Sequence, residues 1–106
     1  MIHIYRFVFG GDFALKIYIA GKITNNPTYM KDFEKAETEL TIQGYVVLNP
    51  AKIPNEIGYE ACMHICFAMI DVVDAVYLLP NWVDSKGAKR EREYAESKGK
   101  LIIFGE

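Results

Sequence analysis

Four short apolar runs punctuate this chain at near-regular intervals: "LKIYIA" (15–20), "YVVLNP" (45–50), "AVYLLP" (75–80) and "LIIF" (101–104). Between them lie three stretches with helical spacing. In the first, Tyr29, Phe33, Ala36 and Leu40 recur at helical intervals from Thr28 to Gln43. Asn25, Asn26 and Pro27 supply the start, and Gly44 the stop. A polar loop with Pro54 leads to a second helix over Gly58–Val73, and "NWVDSK" is a loop before a third helix that Ser85 caps and Gly99 ends. The strands read as continuous rather than alternating apolar runs, so both their faces are covered. Strand–helix alternation with short connections predicts a doubly wound parallel sheet of four core strands with helices on both faces.

A chain of 106 residues, 51% hydrophobic and 25% charged, makes one domain. A net charge of −2 gives no electrostatic footprint for duplex nucleic acid or an anionic membrane. No apolar run has the length of a membrane span, and the apolar opening has neither the basic start nor the cleavage site of a secretory signal. A cytoplasmic protein is the expectation. Residues 1–14 stand outside the pattern; Ile2, Ile4 and Val8 could make an extra edge strand or an arm onto a partner. The division is therefore an N-terminal extension, 1–14, and an α/β domain, 15–106. Cys62 and Cys66, four apart on the second helix, read as core packing in a reducing compartment, and no metal or redox cofactor is implied.

Ligands of such a sheet bind beyond the carboxyl ends of its strands. That edge gathers Gly21 and Lys22, Asn49, Trp82 and the first turns of the helices. Two polar residues stand out there, His64 and Glu91. On the third helix Gly87, Ala88, Glu91, Tyr94 and Ala95 form one stripe, while Lys89, Arg90, Arg92, Glu93 and Glu96 face outward. A glutamate on the small-residue stripe that meets the sheet is a candidate nucleophile or base, although a semi-exposed marginal carboxylate fits the pattern too. Burial would raise its pKa and the helix dipole would lower it. Ser85 and the Gly87 amide suit an anion or a sugar hydroxyl, or simply an N-cap. Trp82 could stack on a nucleobase or fold onto the domain. Asp71 and Asp74, at the opposite edge, read as solvated turn residues.

The second helix is apolar nearly all round, with Ala61, Cys62, Ile65, Ala68, Met69 and Val72 as one face and Met63, Phe67 and Ile70 as another. A small domain has little of its own to cover both faces, which predicts a homodimer or a dimer of dimers with His64 near the joint.

Taken in order, "KIYIAGKIT", "YVVLNPA", "AMIDVVDAVYLLPNW" and "SKGAKREREYA" resemble the small bacterial and phage relatives of the nucleoside 2-deoxyribosyltransferases, over residues 16–104. The resemblance implies a flavodoxin-like fold, assembly with sites completed across subunits, and a nucleoside or nucleotide as the small-molecule partner. It implies that Glu91 attacks the anomeric carbon of the sugar and that Tyr18 orients it. Ser85, where the transferases proper carry an aspartate, implies a 5′-monophosphate.

One feature departs from the family. The usual aspartate early in the second helix is missing around "CMHICF", and His64 is the nearest titratable group that could act as general acid. The readings are thus N-glycosidic cleavage or transfer with Glu91, Tyr18 and His64, a non-catalytic nucleotide-binding module in the same pocket, or an interaction protein.

Overall fold

A computed structural model describes residues 14–106. The N-terminal edge strand or arm expected of 1–14 lies outside the described residues, apart from Ala14. The elements run β1 (Lys16–Ala20), α1 (Tyr29–Ile42), β2 (Val46–Leu48), α2 (Tyr59–Asp71), β3 (Ala75–Leu78), α3 (Lys86–Ser97) and β4 (Leu101–Phe104). Short 3-10 turns at Pro50–Lys52, Asn55–Ile57 and Pro80–Asp84 fill what the sequence marks as plain loops. The sheet order is β2-β1-β3-β4 with every pair parallel. This is the flavodoxin-like arrangement of four strands and three helices.

Alternation along β1 divides the core. Ile17 and Ile19 point to the α1 side, where Phe33, Ala36 and Leu40 meet them. Tyr18 and Ala20 point to the other side, with Cys66, Ile70, Ala88 and Ala95 from α2 and α3. Successive strand residues face opposite layers, so neighbouring β1 residues serve different layers.

Two helices end alike. Gly44, at φ 98°, lets its own amide reach the Thr41 carbonyl and the Tyr45 amide reach that of Leu40. Gly99, at φ 71°, does the same with Glu96 while Lys100 reaches Ala95. Both are Schellman closures, which need a residue that tolerates positive φ and turn the chain directly into the next strand.

The second helix is turned differently from the expectation. Met63, Cys66 and Ile70 are buried on the sheet, with Phe67 and Met69 half-buried. Ala61, Ile65, Ala68 and Val72 face outward, with Ile65 39% and Val72 58% exposed. A helix apolar on every side carries no periodic signal to say which side the sheet takes.

The outer side of α3 is also less bare than its charges suggest. Arg90 is half-buried, paired with Glu60 at 3.1 Å and set over the rings of Tyr59 and Phe67. Arg92 lies 4.8 Å from the centre of the Trp82 ring and 5.2 Å from that of Phe104. The acids at the lower edge have partners as well. Asp74 accepts from the Lys16 amide at 2.9 Å, and Asp71 from the Tyr94 hydroxyl at 2.6 Å.

Beyond the carboxyl ends of β1 and β3 the chain departs to opposite faces, and this opens a crevice. Gly21 ends β1 there. A side-chain methyl at this position would sit 2.6 Å from Leu79 Cδ1, so glycine lets the two strand ends close together.

Candidate active site

The crevice deepens into a cavity of about 330 Å³. Gly21, Ile23, Thr24 and Asn25 wall it from the β1–α1 loop. Asn55, Gly58, Tyr59, Cys62, Met63 and Cys66 wall it from the α2 side, and Ser85, Gly87, Ala88 and Glu91 from α3.

Glu91 reaches this cavity because α3 presents its small stripe inward. Ala88 and Ala95 are buried against the sheet, and Glu91, between them, is only 6% exposed. Tyr18, fully buried on β1, donates from its hydroxyl to Glu91 Oε2 at 2.5 Å. The Cys66 thiol packs in the same buried cluster as Tyr18 and lines the same cavity as Glu91.

Burial pushes the Glu91 carboxyl up to about 7, against the opposing pull of the Tyr18 and Cys66 donors and, more weakly, of the Arg90 charge. Burial also lifts Tyr18 well above the ordinary phenol value, and the neighbouring carboxylate adds to it. Cys66 rises to about 12, first by burial and then by the charge of Glu91. Tyrosine and thiol therefore stay protonated, the tyrosine as donor to the carboxylate, while the glutamate divides between its two forms near neutral pH. A desolvated carboxylate poised in this way can act as nucleophile, base or acid.

Ser85 caps α3 by accepting from the Ala88 amide at 3.0 Å, which leaves its hydroxyl hydrogen free for a ligand. At Gly87 an added methyl would make ordinary contact with Met63 Sδ at 3.5 Å and the Tyr59 hydroxyl at 3.7 Å. The glycine therefore keeps room in the cavity. Lys86 is the first residue of α3 and is exposed, 6.0 Å from the centre of the Tyr59 ring.

Of the residues singled out from the sequence, Gly21, Ser85, Gly87 and Glu91 line one cavity and Tyr18 stands behind it. The others do not join them. His64 is exposed, and α2 turns Cys62, Met63 and Cys66 toward the cavity in its place. Trp82 is half-buried beneath Arg92 and beside Phe104. Asn49 is buried but spends its side chain locally, accepting from Ala51 and donating to Glu37, each at 2.9 Å. Lys22 uses its backbone amide on Asn81 at 3.0 Å and does not line the cavity.

Sequence reasoning missed the α2 wall of Tyr59, Cys62, Met63 and Cys66. The signal available was their own helical spacing, one stripe of i, i+3 and i+4 steps. It also missed Thr24, Asn25 and Asn55; Asn25 is the one non-glycine with positive φ, 59°, among the described residues. Within those residues no group of three or more metal-binding side chains comes together, and no helix is long and apolar enough to cross a membrane.

Residues 15–104 match the family described as a domain of unknown function, DUF4406. The chain belongs to that family. No curated protein matches the sequence. Among solved structures, it is similar in fold to a 2-desoxiribosyltransferase from Leishmania mexicana, with a TM-score of 0.67 and 22% identity. The match covers 85% of this DUF4406 chain and 63% of the Leishmania chain, so this chain spans less than two thirds of that enzyme's length.

Proposed function

We propose that this protein cleaves or transfers the N-glycosidic bond of a nucleoside or its 5′-monophosphate. The observation that carries the reading is the buried Glu91 carboxylate, exposed to the cavity and held by Tyr18. The name of the Leishmania structure adds support in kind. Tyr18 occupies Oε2, leaving the other carboxylate oxygen to attack the anomeric carbon. The carbon–nitrogen bond breaks, the base leaves with the bonding pair, and the sugar remains as a glutamyl ester. Water or a second base then attacks the same carbon and restores the carboxylate. Positive charge that develops on the sugar meets a negative charge in a desolvated site. The free hydrogen of Ser85 and the amides of the first α3 turn suit a 5′-phosphate at the cavity mouth.

Assembly through α2 belongs to the same reading. Ala61, Ile65, Ala68 and Val72 form an outward stripe on the helix that also walls the cavity, which suits a second copy of the chain. Free Cys62 and Cys66 fit a cytoplasmic setting.

A second reading, a nucleotide-binding module without turnover, has one observation in its favour. Glu91 is the single carboxylate among the described residues of the cavity wall, so no second acid stands ready for the leaving base.

Base release decides between them. The protein is incubated with ribo- and deoxynucleosides and their 5′-monophosphates, with and without a free acceptor base, and products are separated by chromatography. The expected outcome is a new base or an exchanged nucleoside that Glu91→Ala abolishes. Ligand-induced thermal stabilisation with no product would establish the binding module.

A further inference from the structure

The loop between β1 and α1 is fixed by one side chain. Asn26 Nδ2 donates to the Lys22 carbonyl at 2.8 Å and to Asp32 Oδ2 at 3.0 Å. Its Oδ1 accepts from the Thr28 amide and hydroxyl, each at 3.1 Å. Asn81 Oδ1 takes the Lys22 amide at 3.0 Å and ties the loop to the turn that follows β3. The Asn26 amide also reaches the Ile23 carbonyl at 3.1 Å, which closes a four-residue turn whose third residue is Asn25, at φ 59°. Positive φ at that position is met freely by glycine and, among the other residues, best by asparagine. Glycine would serve the turn alone; asparagine adds an amide. Asn25 lines the cavity, and its side chain makes no hydrogen bond with the described residues.

We propose that Asn25 is a specificity-determining residue: the loop that Asn26 braces holds it at the cavity, and its amide pairs with an edge of the ligand's base that sets a donor beside an acceptor. This deepens the reading of the ligand as a nucleoside or its monophosphate and rests on it. With Glu91 at the anomeric carbon and Ser85 at the 5′ side, the base extends toward walls that α3 does not supply. The α2 wall of Tyr59, Cys62, Met63 and Cys66 offers ring and sulfur surface, which discriminates little between bases. Side-chain amides come from Asn25 and Asn55, and Asn55 already donates to the Tyr29 hydroxyl at 3.1 Å. An amide carries a donor and an acceptor side by side, the complement of a base edge such as adenine N6 and N7. Because the loop is braced before the ligand arrives, little ordering cost opposes the pairing.

The test is calorimetric titration of the full chain with the common nucleosides and their 5′-monophosphates, ribo and deoxy. Every protein in the series carries Glu91→Gln, so that no ligand is consumed. Asn25→Gly keeps the positive φ and deletes the amide. Asn25→Asp keeps the shape and tolerates the same φ but offers acceptors alone. Melting curves identify which variants keep the fold. The tightest ligand of the parent should weaken about tenfold in Asn25→Gly, so that the ranking of bases flattens. In Asn25→Asp the ranking should shift toward bases that present two adjacent donors, as guanine does. An unchanged ranking in either folded variant overturns the proposal, and so does a parent that binds none of the panel.

Base release by chains that retain Glu91 separates this proposal from the reaction it serves. Release whose order of kcat/KM across bases is the same in Asn25→Gly keeps the reaction and overturns the role of Asn25. A ranking of affinities that moves with Asn25, with no base released by any chain, keeps the role of Asn25 and removes the reaction.

Discussion

Tyr18 and Glu91 are 73 residues apart in the chain and 2.5 Å apart in the fold. The pairing comes from two periodicities that meet in one layer. Tyr18 is an inward position of a strand, and Glu91 lies on the inward stripe of the helix that crosses the same face. Replacing Tyr18 by phenylalanine removes the hydroxyl and keeps the ring that fills the core. Glu91 should then titrate higher by about one unit, because a donor to the charged form is lost. Base release should fall roughly 10- to 100-fold in kcat, with its acid limb moved up by the same interval. A pH–rate profile of the variant against wild type checks both.

Glu91 itself should be indispensable to turnover and unfavourable for stability. Glu91→Gln keeps an oxygen for Tyr18 but cannot form the sugar ester, so base release should drop by roughly a thousandfold or more. Single-turnover assays, in which no glycosyl–protein adduct forms, would agree; wild-type rates in the variant would remove Glu91 from the mechanism.

The pH dependence of stability follows from the same carboxyl. Its folded pKa is about 7 against an ordinary 4.5, raised first by burial. Between those values the folded chain holds a proton that the unfolded chain has released. Stability from this group is therefore complete below the unfolded value and is lost as pH rises through the folded one. At pH 8 the buried charge should cost on the order of 2 kcal/mol relative to Glu91→Gln. Thermal unfolding from pH 5 to 8 should show wild type losing ground to the variant across the interval; parallel curves would contradict the assignment.

The strands and helix ends were legible because each has a local cause. Gly44 and Gly99 mark α-helix stops since a left-handed residue is needed there, and both take positive φ. Glu91 could be picked out because its helix is otherwise charged, so a stripe of Gly87, Ala88 and Ala95 has one orientation that buries it. The second helix offers no such contrast. With apolar residues on nearly all sides its rotation is decided by the sheet, and this is why His64 looked like the site's second titratable group while the helix turns Tyr59, Cys62, Met63 and Cys66 to the cavity instead. Trp82 illustrates the same gap at a loop. Its partners Arg92 and Phe104 come from α3 and β4, and nothing near it in sequence announces them.

Gly87 should separate stability from activity. It sits in the first turn of α3, and alanine there would favour the helix by roughly 0.5–1 kcal/mol. The added methyl meets Met63 and Tyr59 at ordinary contact distances, so the fold accepts it, but the methyl occupies cavity space. Gly87→Ala should melt a few degrees higher. Its KM should rise several-fold with kcat less affected, as steady-state kinetics beside a melting curve would show. A lower melting temperature would mean that the cavity wall is tighter than these distances describe.

The outward stripe of α2 gives the last expectation. Ala61 and Ala68 are small enough to let a second helix approach closely, and Ile65 and Val72 provide apolar area between them. Ile65 is 39% exposed and makes no wall of the cavity, so Ile65→Asp leaves the described site intact within one chain. A charge at the centre of an apolar joint is desolvated without a partner, and the assembly should part. Light scattering should give a dimer or tetramer mass for wild type and the monomer mass for Ile65→Asp. Base release measured on the separated monomer then tests how the site is built: retained activity means that each chain holds a complete site, and lost activity in a folded monomer means that a partner copy completes it.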